Sequence, residues 1–192
     1  QDLWPEAFGL VIKNRFLRNM LLFPFKLYAN RIYELADKVI AVSETYKNRA
    51  MSVQGNDATG LCIYLGNDKV VFDSAKLKYH VDKPDGEIWL CYIGSLGYSY
   101  DIECVIDALD VVKKREQVKC DIKFMIIGDG PLREKFTCYA NEKEIYAEFT
   151  GRLSYEKMVG LLCSCDIVVN PINKGAAQSI TNKVGDYALS GL

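Results

Sequence analysis

The spacing of hydrophobic and polar residues changes several times along this chain, and each change marks an element. From Lys13 to Arg31, Phe16, Leu17, Met20 to Phe23, Phe25, Leu27 and Tyr28 are interleaved with Lys13, Arg15, Arg18, Lys26 and Arg31, with no acidic residue among them. This predicts a helix, a break near Pro24, whose ring removes a backbone donor, and a second helix through Leu35. The short apolar run from Lys38 to Val42 predicts a buried parallel strand. Ser43 then caps a helix from Glu44, because its hydroxyl can accept a free amide hydrogen bond.

A turn-rich stretch, Gln54 to Asp57 with Thr59-Gly60, predicts a domain boundary that divides the chain into 1–56 and 57–192. Beyond it, strands at Leu61 to Leu65, Ile88 to Ile93, Ile122 to Ile127, Ala147 to Thr150 and Asp166 to Asn170 alternate with helices. The helices are expected at Ile102 to Arg115, Leu132 to Glu142, Tyr155 to Cys163 and Thr181 to Leu189. In the first of them Ile102, Val105, Ile106, Leu109 and Val112 fall on one face. Strands joined through helices need crossover connections. The pattern therefore predicts an α/β fold, a Rossmann-like parallel sheet with helices on both faces, plus a partial second domain.

Composition narrows the function classes. The 192 residues are 49% hydrophobic and 26% charged, the balance of an ordinary globular protein. A net charge of -1 gives no electrostatic case for a nucleic-acid partner. No apolar run reaches the roughly 18 residues of a membrane span. The basic and apolar residues of 13–31 could meet anionic lipid at a membrane surface, but two core-packed helices with solvated basic edges are the preferred reading. The seven cysteines (Cys62, Cys91, Cys104, Cys120, Cys138, Cys163, Cys165) show no zinc-site spacing and read as buried, reduced thiols of a cytoplasmic protein. With His80 the sole histidine, in a polar stretch before Pro84, the sequence weighs against a His-dependent triad or a His-rich metal site within these residues. The start at Gln1 and the end at Leu192 suggest a piece of a longer chain.

In an open parallel sheet, ligands bind beyond the carboxyl ends of the strands. The four loops there read Gly94-Ser95-Leu96-Gly97, Gly128-Asp129-Gly130-Pro131, Gly151-Arg152-Leu153-Ser154, and Asn170 to Asn182. The first carries glycines that allow close backbone approach and amides that can face a phosphate. The last opens a helix whose amino end is an anion site. Lys183 stands in its first turn, where a cation makes sense beside a phosphate. Asp186 follows three residues later on the same face, able to hold a ribose hydroxyl. A solvated Lys183–Asp186 ion pair is the bland alternative. No G-x-G-x-x-G and no P-loop is present, which weighs against dehydrogenase and P-loop chemistry.

The ordered series Tyr92-Ile93-Gly94-Ser95-Leu96-Gly97, Ile126-Ile127-Gly128-Asp129-Gly130-Pro131, Phe149-Thr150-Gly151-Arg152-Leu153 and Asn182-Lys183 to Gly191 resembles the carboxyl-terminal domain of family 4 glycosyltransferases. Asp2-Leu3-Trp4-Pro5-Glu6 resembles a segment of their capsule and O-antigen members, and Glu34 to Ser43 resembles the end of their amino-terminal domain. The resemblance implies a retaining GT-B enzyme that moves a sugar from a nucleotide diphosphate, expected to be UDP, to a glycan or polyprenyl-linked acceptor at the inner face of the plasma membrane. Residues 1–56 would be a remnant of the acceptor domain and 57–192 a truncated donor domain. The family's paired glutamates align with Gln178 and Asp186, and its usual cations after the first strand align with Ser95 and Tyr100. Lys183 would then be the main cation for the diphosphate, with Gln178 on the sugar and Asp186 on the ribose. Gly94, Ser95, Gly97, Gly128, Gly130, Ser179, Ile180 and Thr181 would complete the donor site, and Arg152 and Leu153 would meet the base. No cofactor and no metal is expected. A nucleotide-sugar-binding module without catalysis and an epimerase of the same architecture are the rival readings. All of these require Lys183 and Asp186 to face the cleft beside Gly94 and not to be lost in packing.

Overall fold

The computed structural model describes residues 4–6, 8, 12, 14–55, 58–115, 120–174 and 181–192. The chain forms two compact units, one of 1–66 with 174–181 and the other of 67–173 with 182–192. The division falls at Gly66/Asn67, ten residues beyond the boundary expected at 56/57, because the strand after the turn-rich stretch pairs backward within the first unit.

In the first unit, α1 (Arg15–Glu34) is a single 20-residue helix that runs through Pro24, so the expected break is absent. Asn14 caps it, its side chain accepting from the Phe16 and Leu17 amides. Only Leu22 and Ala29 of α1 are buried. Phe16, Met20, Phe23, Phe25, Leu27, Tyr28 and Ile32 are exposed. The expectation of core-packed helices therefore fails within this unit. Strand β1 (Val39–Ala41) pairs in parallel with β2 (Gly60–Cys62), joined through α2 (Glu44–Met51). As expected, Ser43 caps α2, accepting from the Tyr46 amide at 3.3 Å.

The second unit opens with α3 (Lys69–Lys78), which periodicity did not reveal. Its β-branched Val70 and Val71 obscure a helical pattern, but Asp68 caps it by accepting from both of their amides. Strands β3 (Glu87–Ile93), β4 (Asp121–Ile127), β5 (Ala147–Gly151) and β6 (Ile167–Val168) form an all-parallel sheet in the order β5-β4-β3-β6. They alternate with α4 (Ile102–Lys113), α5 (Arg133–Glu142), α6 (Tyr155–Leu162) and α7 (Lys183–Ser190).

The two-residue period of the strands sorts the core. Trp89, Cys91, Met125 and Ile127 turn toward Phe72, Val159, Leu162 and Tyr187 of α3, α6 and α7. Leu90, Tyr92, Phe124 and Ile126 turn toward Ile102, Ile106, Phe136 and Ala140 of α4 and α5. Burial on both faces explains why these strands read as continuous apolar runs. All seven cysteines are free, but Cys104 and Cys138 are exposed, so burial holds for Cys91 and Cys165 and not for the whole set. Among the described residues, no helix is long and apolar enough to cross a membrane.

Candidate functional site

The strand order reverses at β3, which leads through α4 to β4 on one side and lies beside β6 on the other. Such a switch point opens a crevice beyond the carboxyl ends of the strands. The chain leaves β3 at Gly94 (φ 142°) and β4 at Gly128 (φ 147°). The two turns press together. A Cβ on Gly128 would lie 1.9 Å from the Gly94 carbonyl oxygen, so only glycine fits. The loop after β3 is then tied down: the Gly94 amide donates to the Ile127 carbonyl at 2.9 Å and the Leu96 amide to the Asp129 carbonyl at 3.0 Å. On its other side, the Asp101 amide donates to the Pro171 carbonyl and the Asn173 amide to the Ser99 carbonyl, both at 2.9 Å.

Helix α7 enters the same crevice. Tyr187 anchors it: its hydroxyl accepts from the Ile93 amide at 3.0 Å and donates to the Val169 carbonyl at 3.1 Å, bridging the ends of β3 and β6. Burial pushes this phenol's pKa up. The amino end of α7 has no side-chain cap from Asn182. From its first turn Lys183 reaches across the end of β3, where a Cβ on Gly94 would stand 2.8 Å from Nζ. The ammonium lies over the rings of Tyr92 and Tyr100, 4.0 and 3.8 Å from their centroids. The rings meet edge to face at 5.6 Å, and the Tyr92 hydroxyl donates to the Ser95 carbonyl at 2.9 Å.

Lys183 is 7% exposed, and among the described residues its Nζ has no hydrogen-bond partner. The bland i,i+3 ion pair with Asp186 is therefore not formed. Burial pushes the Lys183 pKa down to about 7, while two ring faces attract the cation and oppose that shift. A buried ammonium without an acceptor, at the positive end of a helix, is unfavourable on both counts.

Asp186, 8% exposed, is held differently. Its Oδ1 accepts from Asn67 Nδ2 at 2.6 Å and from the Tyr155 hydroxyl at 2.9 Å. Burial raises its pKa and the two hydrogen bonds pull it back. Tyr155 also lines a cavity of about 450 Å³ between the ends of β3 and β4, with Gly94, Ser95, Gly128, Asp129, Arg152 and Leu153 among the other walls.

A crevice at a switch point could serve many α/β proteins, so identity rests on the sequence match that accompanies it. Residues 87–192, more than half of the chain, match the family described as Glycosyl transferases group 1. The chain belongs to that family. The chain is 26% identical over 175 residues to the uncharacterized glycosyltransferase MJ1069 of Methanocaldococcus jannaschii, covering 88% of the present chain and 43% of that relative. The chain thus spans less than half the length of the curated relative it matches. Among solved structures it resembles TarM (TM-score 0.53, 17% identity, 75% of this chain and 27% of that one). It also resembles Anabaena HepE in complex with UDP and glucose (TM-score 0.52, 17% identity, 74% and 40% covered). These likenesses show the GT-B glycosyltransferase fold.

The expected site residues fall in different places. Gly94, Ser95, Gly128, Arg152 and Leu153 share the cavity wall, while Lys183 meets it through Gly94 and Asp186 through Tyr155. Gly130 does not line it; a Cβ there would lie 2.5 Å from the Leu96 carbonyl oxygen, a packing role. The Gly94 amide, expected to face a phosphate, is taken by Ile127, whereas among the described residues the amides of Ser95 and Gly97 form no hydrogen bond. Thr181 directly precedes the α7 cap residue Asn182. Gln178, Ser179 and Ile180 lie outside the described residues. Asn67, Tyr92, Tyr100, Tyr155 and Tyr187 were not assigned roles from sequence. Tyrosines inside or beside strands read as core, and only the fold shows the Tyr92 and Tyr100 rings under Lys183, the Tyr155 hydroxyl on Asp186 and the Tyr187 hydroxyl on the strand ends.

Proposed function

We propose that this domain binds a nucleotide diphosphate sugar, UDP-linked, and that the complete enzyme transfers the sugar with retention to a glycan or polyprenyl-linked acceptor in cell-surface polysaccharide synthesis. In this reading it is a family 4 glycosyltransferase of the capsule and O-antigen type, working at the cytoplasmic face of the membrane. The observation that carries the proposal is the buried Lys183 ammonium, without an acceptor among the described residues, at the start of α7, where Asn182 provides no side-chain cap. A diphosphate beside Gly94 supplies the missing anion to both the side chain and the helix end. HepE was solved with UDP and glucose, which supports UDP as the nucleotide.

Charge accumulates on the leaving diphosphate as the glycosidic bond breaks. A cation and amides already held in place stabilise that state more than the ground state. Lys183 with the Ser95 and Gly97 amides, which donate to no other described residue, fills this role, Gln178 hydrogen-bonds the sugar, and Asp186 holds the ribose. Arg152 and Leu153 frame the base. The site is proposed to work without metal. Peripheral membrane contact belongs to the same reading, since α1 exposes Phe16, Phe23 and Phe25 beside Arg15, Arg18 and Lys26.

Calorimetric titration of the chain with UDP-glucose and UDP-N-acetylglucosamine tests the proposal. Saturable binding that Lys183→Met weakens by tenfold or more is expected. Equal affinities of wild type and variant would reject the assignment.

A further inference from the structure

We propose that Asn67 and Tyr155 are positioning residues that present Asp186 to a ribose, so that this site distinguishes ribonucleoside from deoxyribonucleoside diphosphates. The inference rests on the donor-site reading and adds to it two residues and a selectivity.

Three separate parts of the second unit converge on one carboxylate. Asn67 comes from the segment before α3, Tyr155 is the first residue of α6, and Asp186 lies in the first turn of α7. The bonds at 2.6 and 2.9 Å both fall on Oδ1. A carboxylate has roughly four acceptor positions over its two oxygens, so Oδ2 keeps its capacity for a ligand hydroxyl. Both donors are neutral. An arginine or lysine here would neutralise the carboxylate, whereas an amide and a phenol orient it and leave its charge available to a ligand.

The arrangement is sterically specified. Gly185 makes room for Asn67: a Cβ there would stand 1.9 Å from Asn67 Oδ1. With a side chain at position 185, Asn67 would have to turn away from its place on Asp186. Tyr155 meanwhile has two addresses. Its ring lines the cavity at the ends of β3 and β4, and its hydroxyl stands on Asp186. A nucleoside in that cavity, with its diphosphate at Lys183, brings its ribose to the side where Tyr155 and Asp186 meet.

The test is calorimetric titration of the 192-residue chain with UDP, 2′-deoxy-UDP and 3′-deoxy-UDP, for wild type, Asp186→Asn, Tyr155→Phe and Asn67→Ser. Wild type is expected to prefer UDP over at least one deoxy probe by about tenfold, the worth of a hydrogen bond to a charged group. Tyr155→Phe and Asn67→Ser should each shrink that ratio at least threefold, and Asp186→Asn should bring it near one. Tyr155→Phe deletes one oxygen and is the variant least open to misfolding; melting curves verify that each variant is folded. Variants that weaken all three ligands equally and keep the wild-type ratio would show a merely structural role and overturn the inference. Binding of UDP without discrimination by wild type would also overturn it while leaving the donor site standing. No binding of UDP, ADP, GDP or CDP by wild type would remove the donor site itself.

Discussion

If Lys183 meets a diphosphate, binding must carry a proton with it. In the free chain burial holds the ammonium's pKa down at about 7. A bound diphosphate supplies the absent counter-charge and returns the group toward the ordinary lysine value, so any deprotonated fraction takes up a proton on binding. With a free-state pKa of about 7, that uptake is about 0.1 proton at pH 6, 0.5 at pH 7 and 0.9 at pH 8. Affinity should correspondingly fall by up to tenfold for each pH unit above 7. The attraction of Tyr92 and Tyr100 for the cation moves the midpoint upward, so titrations should extend to pH 9. The assay is isothermal calorimetry with UDP-glucose, whose diphosphate is doubly esterified and does not itself titrate in this range. The apparent enthalpy is measured in buffers of differing ionisation enthalpy, and its slope is the number of protons taken up. Lys183→Met should abolish the slope. A slope near zero at both pH 8 and pH 9, or an undiminished one in the variant, would refute the argument that this lysine awaits an anion.

The same lysine affects stability without ligand. Its native pKa of about 7 lies below its unfolded value near 10.5, so the unfolded state binds more protons between those values. The native state therefore gains stability as pH rises through that window, and below pH 7 it bears the full penalty. Lys183→Met should raise the urea midpoint at pH 6 and do so less at pH 9; at about 1.4 kcal/mol per pH unit over the two units from pH 7 to pH 9, the difference is bounded near 3 kcal/mol. Gly128→Ala forces a methyl against the Gly94 carbonyl oxygen in a backbone region suited to glycine. It should lower unfolding free energy by about 3 kcal/mol or more, and an unchanged urea midpoint would contradict the packing. Flotation with anionic vesicles tests α1: the chain should bind at low salt and release at high salt, whereas failure at both would discard membrane contact.

Much of the second unit was legible because its strands are buried on both faces and its helices are amphipathic. The strands at Ile88 to Ile93 and Ile122 to Ile127 appear within one residue of expectation. The α7 start at Lys183 falls two residues after the expected Thr181. Boundaries failed where local signals compete with tertiary ones. Pro24 reads as a breaker, yet α1 continues past it, and a turn-rich stretch at 54–60 precedes β2 without dividing the units. The site was half legible. The Lys183–Asp186 spacing follows from helix geometry alone, and Gly94 and Gly128 announce close backbone approach. Lys183's ring contacts and Asp186's donors were not legible, because Tyr92, Tyr100, Tyr155 and Asn67 are distant in sequence and join only through the crossovers.

Tyr187 has an implication for how such a site could change. Its hydroxyl pins α7 to the ends of β3 and β6 one residue past Asp186. The cation and the carboxylate therefore ride on one short, fastened rod, and the pitch of that rod sets the interval between them. A ligand of different length cannot be accommodated by sliding one group while leaving the other in place. Changing the preferred ligand would require replacing residues at fixed stations along the helix, not remodelling its path.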